Sequence, residues 1–193
     1  MVSRVESAAG TRRALLDAAA TLLGEGGVEA VTLREVGARA GVSRGAPYRH
    51  FADKESLLTA IATEAWDRVG DEVSVLRASS ELSAPEKLRT ALTGLIAIGR
   101  QQPHLFRLMF TQPSGDPSAV VRAAGRSQDE FLAIVAELVG EKDARRYGAL
   151  LMTSAHGVAG MEVSGHLTQE KWGTTAEQIV EMLVGMVAAQ SVP

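Results

Sequence analysis

Apolar residues recur at steps of three or four along almost the whole 193-residue chain, and no segment alternates convincingly between apolar and polar residues. Steps of three or four keep side chains on one face of an α-helix, whereas a half-buried strand needs a step of two. The chain is 46% apolar but only 4% aromatic, so Leu, Val and Ala fill the core. The pattern predicts an all-α protein of about nine helices.

Composition excludes several classes of protein. The chain has no cysteine, which rules out disulfides and thiolate metal sites and is compatible with a reducing cytoplasm. No apolar run approaches the roughly 20 residues that span a bilayer, and Asp17 interrupts the most signal-like stretch near the N-terminus. We therefore expect a cytoplasmic protein. Its net charge of −3 argues against indiscriminate nucleic-acid binding, so any DNA contact must be local.

Residues 32–58, TLREVGARAGVSRGAPYRHFADKESLL, predict two short helices joined by a tight turn and followed by a longer helix. Thr32 and Glu35 form a capping-box pattern before an apolar run. Gly41 is expected to end that helix, because glycine readily adopts the positive φ found just after helices. Ser43 is placed to cap the next one. This arrangement is typical of a DNA-binding helix-turn-helix.

The second short helix, expected at about residues 44–51, has the composition of a surface that meets DNA. Small residues at Gly45 and Ala46 would let its backbone approach a partner. Between Arg39 and Lys54, four basic side chains stand against one acidic side chain, a net of +3. Local positive charge of this kind favours phosphate. Lys54 opens the following long helix, where a cation is favourable if a phosphate lies across the helix terminus.

Residues 10–58 resemble the TetR family of bacterial transcriptional repressors. The resemblance rests on the lead-in helix TRRALLDAAATLLGEGGVEAVT, the G-V-S-x-G turn, the Y-R-H-F ending and the D-K-E-S-L-L start of the next helix. It implies a three-helix N-terminal DNA-binding domain and a larger C-terminal helical domain for ligand binding and dimerisation. It also implies that ligand binding releases the DNA.

The resemblance implies roles for individual side chains. Bases and the nearby backbone would be met by Ser43, Arg44, Gly45, Ala46 and Tyr48. Phosphates would be met by Thr32, Tyr48, His50 and Lys54. Arg34 and Arg49 are further basic candidates on the two helices. Pro47 stands where the family often has Leu or Val, a departure that bears on the tilt of the second helix.

The C-terminal part resembles one TetR subgroup, the WHG type. The similar segments are QQPHLFRLMF at 101–110 and SAHGVAGMEVSGHL at 154–167, with His156-Gly157 as the His-Gly pair. Thr153 and Ser154 occupy the stretch where the Trp of that pattern is expected.

The predicted organisation is a flexible arm at 1–9, a helix-turn-helix domain at 10–53 and a ligand-binding and dimerisation domain at 54–193. The segments predicted to form the last two long helices contain several glycines, and such small residues permit close approach of helices. That approach could be intramolecular, but the family resemblance favours a homodimer with two helices from each subunit. A dimer would place two recognition helices about 34 Å apart, the spacing of successive major grooves.

No catalytic or cofactor motif is present: H-E-x-x-H, G-x-S-x-G, G-x-x-x-x-G-K and G-x-G-x-x-G are all absent. We expect no enzyme, no metal site and no cofactor. Glu162 and His166 could share a helix face, but two ligands do not make a metal site. Large side chains on the middle helices suggest an apolar ligand pocket, with a plain core as the alternative. Its predicted lining is Trp66, Phe106, Met109, Phe110, Gln128, Phe131, Met152 and His156.

Together these features predict a homodimeric repressor that leaves a palindromic operator when a small hydrophobic effector binds. One alternative is a DNA-binding dimer that has no effector or that activates transcription. Another is an all-α small-molecule-binding protein or enzyme in which the N-terminal helices are only scaffold. The sequence names neither the effector nor the operator.

Overall fold

The computed structural model describes residues 4–111 and 116–190, with the side chains of residues 4–7 left aside. Ten α-helices and no strand occur within these ranges, which confirms the predicted all-α class. The helices are α1 (Arg4–Ala30), α2 (Leu33–Arg39), α3 (Ala46–His50), α4 (Lys54–Ala78), α5 (Ala84–Gln101), α6 (Pro103–Met109), α7 (Ser118–Val139), α8 (Glu141–Val163), α9 (Gln169–Trp172) and α10 (Ala176–Ala188).

The chain forms two compact units. The first unit consists of Met1–Ala65 with His104–Arg122, and the second consists of Trp66–Pro103 with Ala123–Pro193. The division falls inside α4, whereas the sequence suggested a boundary at the beginning of that helix. The first unit therefore contains α6 as well as the helices of the helix-turn-helix.

The first helix is longer than the predicted span of residues 10–24. It begins at Arg4, inside the arm expected at residues 1–9, of which residues 1–3 lie outside the described part. The sequence predicts that this helix ends at the glycines of residues 24–27. Gly26 and Gly27 have non-helical φ and ψ, with φ of 69° at Gly27, so the first helical segment does end there, and a second segment continues to Ala30. This positive φ is one that glycine adopts without steric cost.

The first unit is built on mutual packing of α1, α2 and α3. Its fully buried side chains include Leu15, Leu23, Val36 and Leu57, and Phe51 is also buried as a core anchor. Each such side chain contributes roughly 1.5–3 kcal/mol when it is removed from water. The core thus fixes how the two short helices follow one another.

The sequence predicts helix caps at Thr32 and at Asp53, and the structure confirms both. The Glu35 backbone N–H donates to Thr32 Oγ1 at 3.1 Å at the beginning of α2. At the beginning of α4, the Ser56 N–H donates to Asp53 Oδ1 at 2.7 Å. Each bond satisfies a backbone donor that has no partner within the helix.

In the second unit, α5 packs against both α8 and α10. The sequence Ser83-Ala-Pro-Glu86 predicts a capping box at the beginning of α5. The structure confirms it, because the Ser83 N–H donates to Glu86 Oε2 at 2.8 Å and the Ser83 side chain also takes part. Buried Leu88, Leu92 and Leu151 form part of the core between these helices. Gly148 of α8 lies so close to Leu132 of α7 that an added Cβ would be 2.3 Å from the leucine Cδ2.

Three details of the second unit differ from the prediction. The apolar spacing predicts a long helix from about Glu141 to Leu167, but α8 ends at Val163, because Gly165 has a φ of 70°. A short additional helix, α9, follows it. The sequence Thr174-Thr-Ala-Glu177 predicts a cap at Thr174 for the last helix, but the cap of α10 is Thr175, which pairs with Gln178. Across the described residues, no helix is both long and apolar enough to cross a membrane.

Candidate nucleic-acid interface

The helix-turn-helix consists of α2, the turn at residues 40–45 and α3. Gly41 takes a φ of 66° in the turn, as predicted, and the Val42 N–H donates to the Gly37 carbonyl at 3.2 Å. The second helix begins at Ala46 with Gly45 as its N-cap, so the prediction that Ser43 caps it is wrong. Ser43 instead opens a turn in which its carbonyl accepts from the Ala46 N–H at 2.9 Å.

Pro47 lies at the second position of α3, where proline is readily accommodated. A backbone N–H at this position has no partner within the helix, so its absence removes no helical hydrogen bond. The ring is buried against Gly37 of α2: a Cβ on Gly37 would lie 2.8 Å from Pro47 Cγ. The departure from the family pattern is thus matched by a glycine on the facing helix.

The structure places most of the predicted DNA-binding residues at the surface of the first unit. His50 and Lys54 are half-buried, and Tyr48 has 61% of its surface exposed. Ala46 is only 3% exposed, so it packs inward, which corrects its place among the residues that face DNA. The other exposed members of the set are Thr32, Arg34, Ser43, Arg44, Gly45 and Arg49.

A groove of about 600 Å³ lies between α2 and α3. It brings together three of the predicted residues, Arg34, Arg44 and Tyr48, although Arg34 belongs to the first helix and the others follow the turn. The remaining lining is small or aliphatic: Leu33, Gly37, Ala38 and Val42. A concave surface with two guanidinium groups and a phenol at its margin can accept hydrogen-bond acceptors such as phosphate oxygens and base edges.

One arginine of this region, Arg39, differs from the other cations because it forms an ion pair. Arg39 donates two hydrogen bonds to the Glu25 carboxylate of α1, at 2.6 and 2.8 Å, and these bonds raise the pKa of its guanidinium. Arg39 therefore holds α2 against α1. Within the described ranges, no ion pair occupies the four remaining cations, which are Arg34, Arg44, Arg49 and Lys54.

Arg12 is a basic residue near this region that the sequence reasoning missed. Its guanidinium lies 5.3 Å from the centre of the Phe51 ring, the aromatic residue that follows α3. This cation–π contact joins α1 to the end of the helix-turn-helix. The motif pattern around Phe51 gave no signal for it, because the two residues are distant in sequence.

The residues predicted to line an effector pocket fall into two groups. Trp66, Phe106, Met109 and Phe131 are buried, and Met152 is half-buried. Phe110, Gln128 and His156 are exposed, so the two polar groups expected to face an apolar pocket lie at the surface. The buried polar residue of α7 is Ser127, the neighbour of Gln128.

Two further cavities are lined by other residues, which the sequence did not single out. One, of about 340 Å³, lies in the first unit among α1, α4, α6 and α7. The other is an apolar groove of about 470 Å³ between α4 and α5 in the second unit.

Nowhere in the described chain do three His, Asp or Glu side chains approach as a metal site requires. Glu162, considered above with His166, is ion-paired with Arg100 at 2.9 Å.

Comparison with known proteins agrees with this geometry. A family model for "Bacterial regulatory proteins, tetR family" matches residues 15–61. A second model, "Tetracyclin repressor-like, C-terminal domain", matches residues 88–187, which is more than half of the chain. The HTH-type transcriptional repressor KstR2 of Rhodococcus jostii (strain RHA1) is 46% identical over 52 residues, 27% of this chain. That match spans only 26% of the length of KstR2.

Solved structures match over almost the full length. A protein of unknown function from Rhodococcus sp. RHA1 has a TM-score of 0.78 at 27% identity, covering 95% of this chain and 96% of that one. The transcriptional regulator FadR from Bacillus subtilis, in complex with stearoyl-CoA, has a TM-score of 0.64 at 14% identity, covering 92% and 98%. At this identity the second likeness shows the fold alone. The chain belongs to the TetR family of bacterial regulatory proteins.

Proposed function

We propose that the protein is a transcriptional repressor that binds a palindromic operator as a homodimer and leaves it when a small hydrophobic effector binds. The observation that carries the proposal is the exposed surface formed by α3 and the turn before it. This surface presents Tyr48 together with Arg44 and Arg49, two cations that have no ion-pair partner in the described chain. Family membership and the repressor KstR2 support it. Its DNA partner would place the protein in the bacterial cytoplasm.

In the proposed complex, α3 enters the major groove with Tyr48 and Arg44 directed to the bases. Arginine is well suited to guanine, whose two major-groove acceptors match its fork of donors. Lys54, at the first position of α4, would meet a phosphate at the helix N-terminus, where the backbone N–H groups also favour an anion. Thr32 remains able to donate its hydroxyl hydrogen, since its oxygen accepts from the Glu35 N–H.

Two exposed apolar stripes support dimerisation. Leu150 and Met161 of α8 are 47% and 37% exposed, and Met182 and Met186 of α10 are 63% and 54% exposed. The two helices pack against each other. Glycines on the same helices, Gly157, Gly160 and Gly185, have open space where a Cβ would stand. Apolar stripes flanked by such openings suit the close approach of two helices from a second subunit.

We propose an effector pocket in the second unit, centred on the buried Trp66 and Phe131. Support comes from the similarly folded FadR, which was solved with stearoyl-CoA, a ligand with a long apolar chain. Release of DNA requires that the effector bind the low-affinity conformation more tightly than the operator-bound one.

DNA binding is tested by fluorescence anisotropy with labelled duplexes tiled across the DNA next to the protein's own gene. We expect saturable binding to one palindromic duplex, weakening steeply as salt rises because counterions are released. Arg44→Ala and Tyr48→Ala should each weaken binding to that duplex by about 1–3 kcal/mol. Lys54→Ala should weaken binding to all duplexes alike and lower the salt slope by about 1.

The matched control is Arg68→Ala, which removes an exposed arginine of α4 far along the sequence from the motif. It should leave operator affinity unchanged, and circular dichroism should show equal helicity for all variants. Unchanged affinity in Arg44→Ala and Tyr48→Ala would disprove the assignment of α3. Failure of every duplex to show salt-sensitive, saturable binding would argue for one of the alternatives without DNA.

A further inference from the structure

The cavity of about 340 Å³ in the first unit has the features of a second type of binding site. Four segments surround it: the kinked end of α1, the first half of α4, α6, and the beginning of α7. All of them belong to the first unit, which also carries the helix-turn-helix. Ligand pockets in proteins measure about 300–1,000 Å³, so the volume suits a small organic molecule.

We propose that this cavity binds a small organic amine, with the apolar body of the amine inside and its ammonium group held by Glu29 and Glu55. The inference names an effector class and a place that the proposed function does not contain. It rests on the proposed function only for the link from ligand to DNA.

One part of the cavity wall is aliphatic. Val28 of α1, Leu58 and Ala62 of α4, and Leu108 and Val120 beyond them supply apolar surface. Leu58, Ala62 and Val120 are buried, so this part of the wall belongs to the packed core of the unit. An apolar ligand body that displaces water from this wall gains free energy in proportion to the area covered.

The other part of the wall is charged, and its charges are uncompensated. Glu29, Glu55 and Arg107 line the cavity, and in the described part of the chain none of them has an ion-pair partner or a hydrogen bond to its charged group. Elsewhere, ion pairs are common; Arg13 and Arg126, for example, each contact two carboxylates. The lining therefore presents two carboxylates against one guanidinium, and a ligand with a positive charge complements it.

His104 gives the polar end a fixed shape. Its ring fills the space beside Gly27, where an added Cβ would lie 2.9 Å from the histidine Nδ1. The positive φ of Gly27 and the ring therefore both require glycine here. Thr59 and Thr111 add hydroxyl groups that can accept from an ammonium. Among the described residues that line the cavity, His104 has the only aromatic ring, so carboxylates rather than cation–π contacts would hold the charge.

Glu55 lies where a bound ligand would affect a residue that is proposed to contact DNA. It lies in the first turn of α4, directly after Lys54, the proposed phosphate contact. An amine that fixes Glu55 against α1 and α6 would also fix the end of the helix that carries Lys54. Occupancy of the cavity and operator affinity are therefore expected to be coupled, and the coupling must be reciprocal.

The binding test uses 2-phenylethylamine as the probe and titration calorimetry on the full chain without DNA. For a ligand of about nine heavy atoms we expect a Kd on the order of 1 mM. The matched acid, 3-phenylpropionate, should bind at least about tenfold more weakly, because it meets two carboxylates. The neutral 2-phenylethanol should fall between them. Equal or tighter binding of the acid would overturn the assignment of an amine.

Variants locate the site. Glu55→Gln and Glu29→Gln should each weaken amine binding about tenfold, the loss expected from one charge-assisted hydrogen bond. Thr59→Trp should fill the cavity and abolish binding, with unfolding curves used to show that the variant folds. The control is Glu141→Gln, an exposed carboxylate of α8. Amine binding that survives all three cavity variants would place the site elsewhere and refute the proposal.

A separate arm repeats the operator titration with the probe at saturation. A changed operator affinity in the wild type, but not in Thr59→Trp, would join the cavity to the proposed function. Because calorimetry is done without DNA, loss of operator binding would leave the binding result intact. Conversely, absence of amine binding would leave the repressor proposal standing.

Discussion

At the scale of single residues, the contact between Gly37 and Pro47 explains how this helix-turn-helix accepts a proline. The buried ring occupies the place of a side chain on the facing helix, since a Cβ on Gly37 would come within 2.8 Å of Pro47 Cγ. Two real carbon atoms do not approach so closely without one of them moving. The pair therefore sets the distance between α2 and α3 and, with it, the position of the exposed Tyr48.

We predict that Gly37→Ala destabilises the protein by about 1–3 kcal/mol, the range found for overpacked cores. Without crowding, alanine would stabilise a helix by up to about 1 kcal/mol relative to glycine. A decrease in the free energy of unfolding would therefore by itself show that the alanine Cβ meets the Pro47 ring. Urea unfolding followed by circular dichroism measures it. Gly94→Ala on α5, where a Cβ meets no atom within 4 Å, is the matched control and should stabilise slightly.

The double variant Gly37→Ala/Pro47→Ala tests the cause of that loss. Removing the ring relieves the crowding, so the double variant should be more stable than the sum of the two single losses predicts. Additive losses, or a Gly37→Ala protein as stable as the wild type, would show that the two residues do not press on each other.

At the scale of elements, helix termini here depend on specific side-chain hydrogen bonds, and the cap of α5 makes one of them sensitive to pH. The Ser83 side chain and the Ser83 N–H both bond to the Glu86 carboxylate. These bonds, the side-chain one first, hold the pKa of Glu86 below its ordinary value of 4.5. A lowered pKa in the folded state means that the cap stabilises the protein above the unfolded pKa and loses this effect as pH falls through the folded one.

We therefore predict that Ser83→Ala destabilises the protein more at about pH 7 than at about pH 3.5, which lies below the ordinary pKa of a glutamate, so that the unfolded chain takes up a proton that the folded cap disfavours. Urea unfolding of variant and wild type at both pH values gives the difference directly. Ser43→Ala is the control, because the Ser43 hydroxyl has no carboxylate partner in the described chain. Its effect should be small and equal at both pH values. A Ser83→Ala loss that does not change with pH would contradict the proposed cause.

The elements also show where sequence reasoning reaches its limit. The apolar spacing of α7 predicts one buried stripe, made of Val121, Ala124, Gln128, Phe131, Val135 and Leu138. The structure confirms its second half, since Phe131, Val135 and Leu138 are buried, but in the first half it buries Val120, Ala123 and Ser127 instead. Adjacent identical residues, Val120-Val121 and Ala123-Ala124, make two faces look equally apolar in the sequence. The choice is made by packing: Ser127 lies against Gly70 of α4, where an added Cβ would be 3.5 Å from the serine Cα. Long-range contacts of this kind leave no local pattern.

The predictions for capping residues were correct only where a local hydrogen-bonding partner exists. The caps at Thr32, Asp53 and Ser83 were predicted correctly, because each has its hydrogen-bonding partner three residues away. Ser43 had the right residue type but no such partner, and Gly45 became the N-cap of α3. The glycines at 26–27 interrupt the first helix as predicted, because Gly27 takes a positive φ of 69° that side-chain-bearing residues rarely adopt.

At the scale of the whole molecule, the DNA-binding side chains could be predicted from the helix-turn-helix motif. The cavity in the first unit could not be predicted from any local motif. Tyr48 is exposed because it lies on a short helix with one buried face, and Arg44 is exposed in the turn before that helix. The cavity is lined by segments as far apart in sequence as Gly27 and Val120. Only the tertiary fold brings Glu29, Glu55 and Arg107 around one space.

Dimerisation is the property on which the proposed function depends most. A single α3 reads only a few base pairs, and a palindrome is recognised when two copies are held about 34 Å apart. We predict that Met182→Glu and Met186→Glu, in the exposed stripe of α10, convert the protein to monomers, because each would bury an uncompensated charge at the interface. Sedimentation equilibrium measures the subunit mass, and circular dichroism checks that the helices remain.

The control for this prediction is Val75→Glu on α4, because Val75 is 72% exposed and lies outside the two stripes. It should remain a dimer with unchanged operator affinity, while the two methionine variants should lose most of their affinity for the palindrome. Their affinity for a single half-site should persist, because α3 and its neighbours are untouched. Should both methionine variants stay dimeric, the interface must lie on another face, and the two stripes would need a different partner.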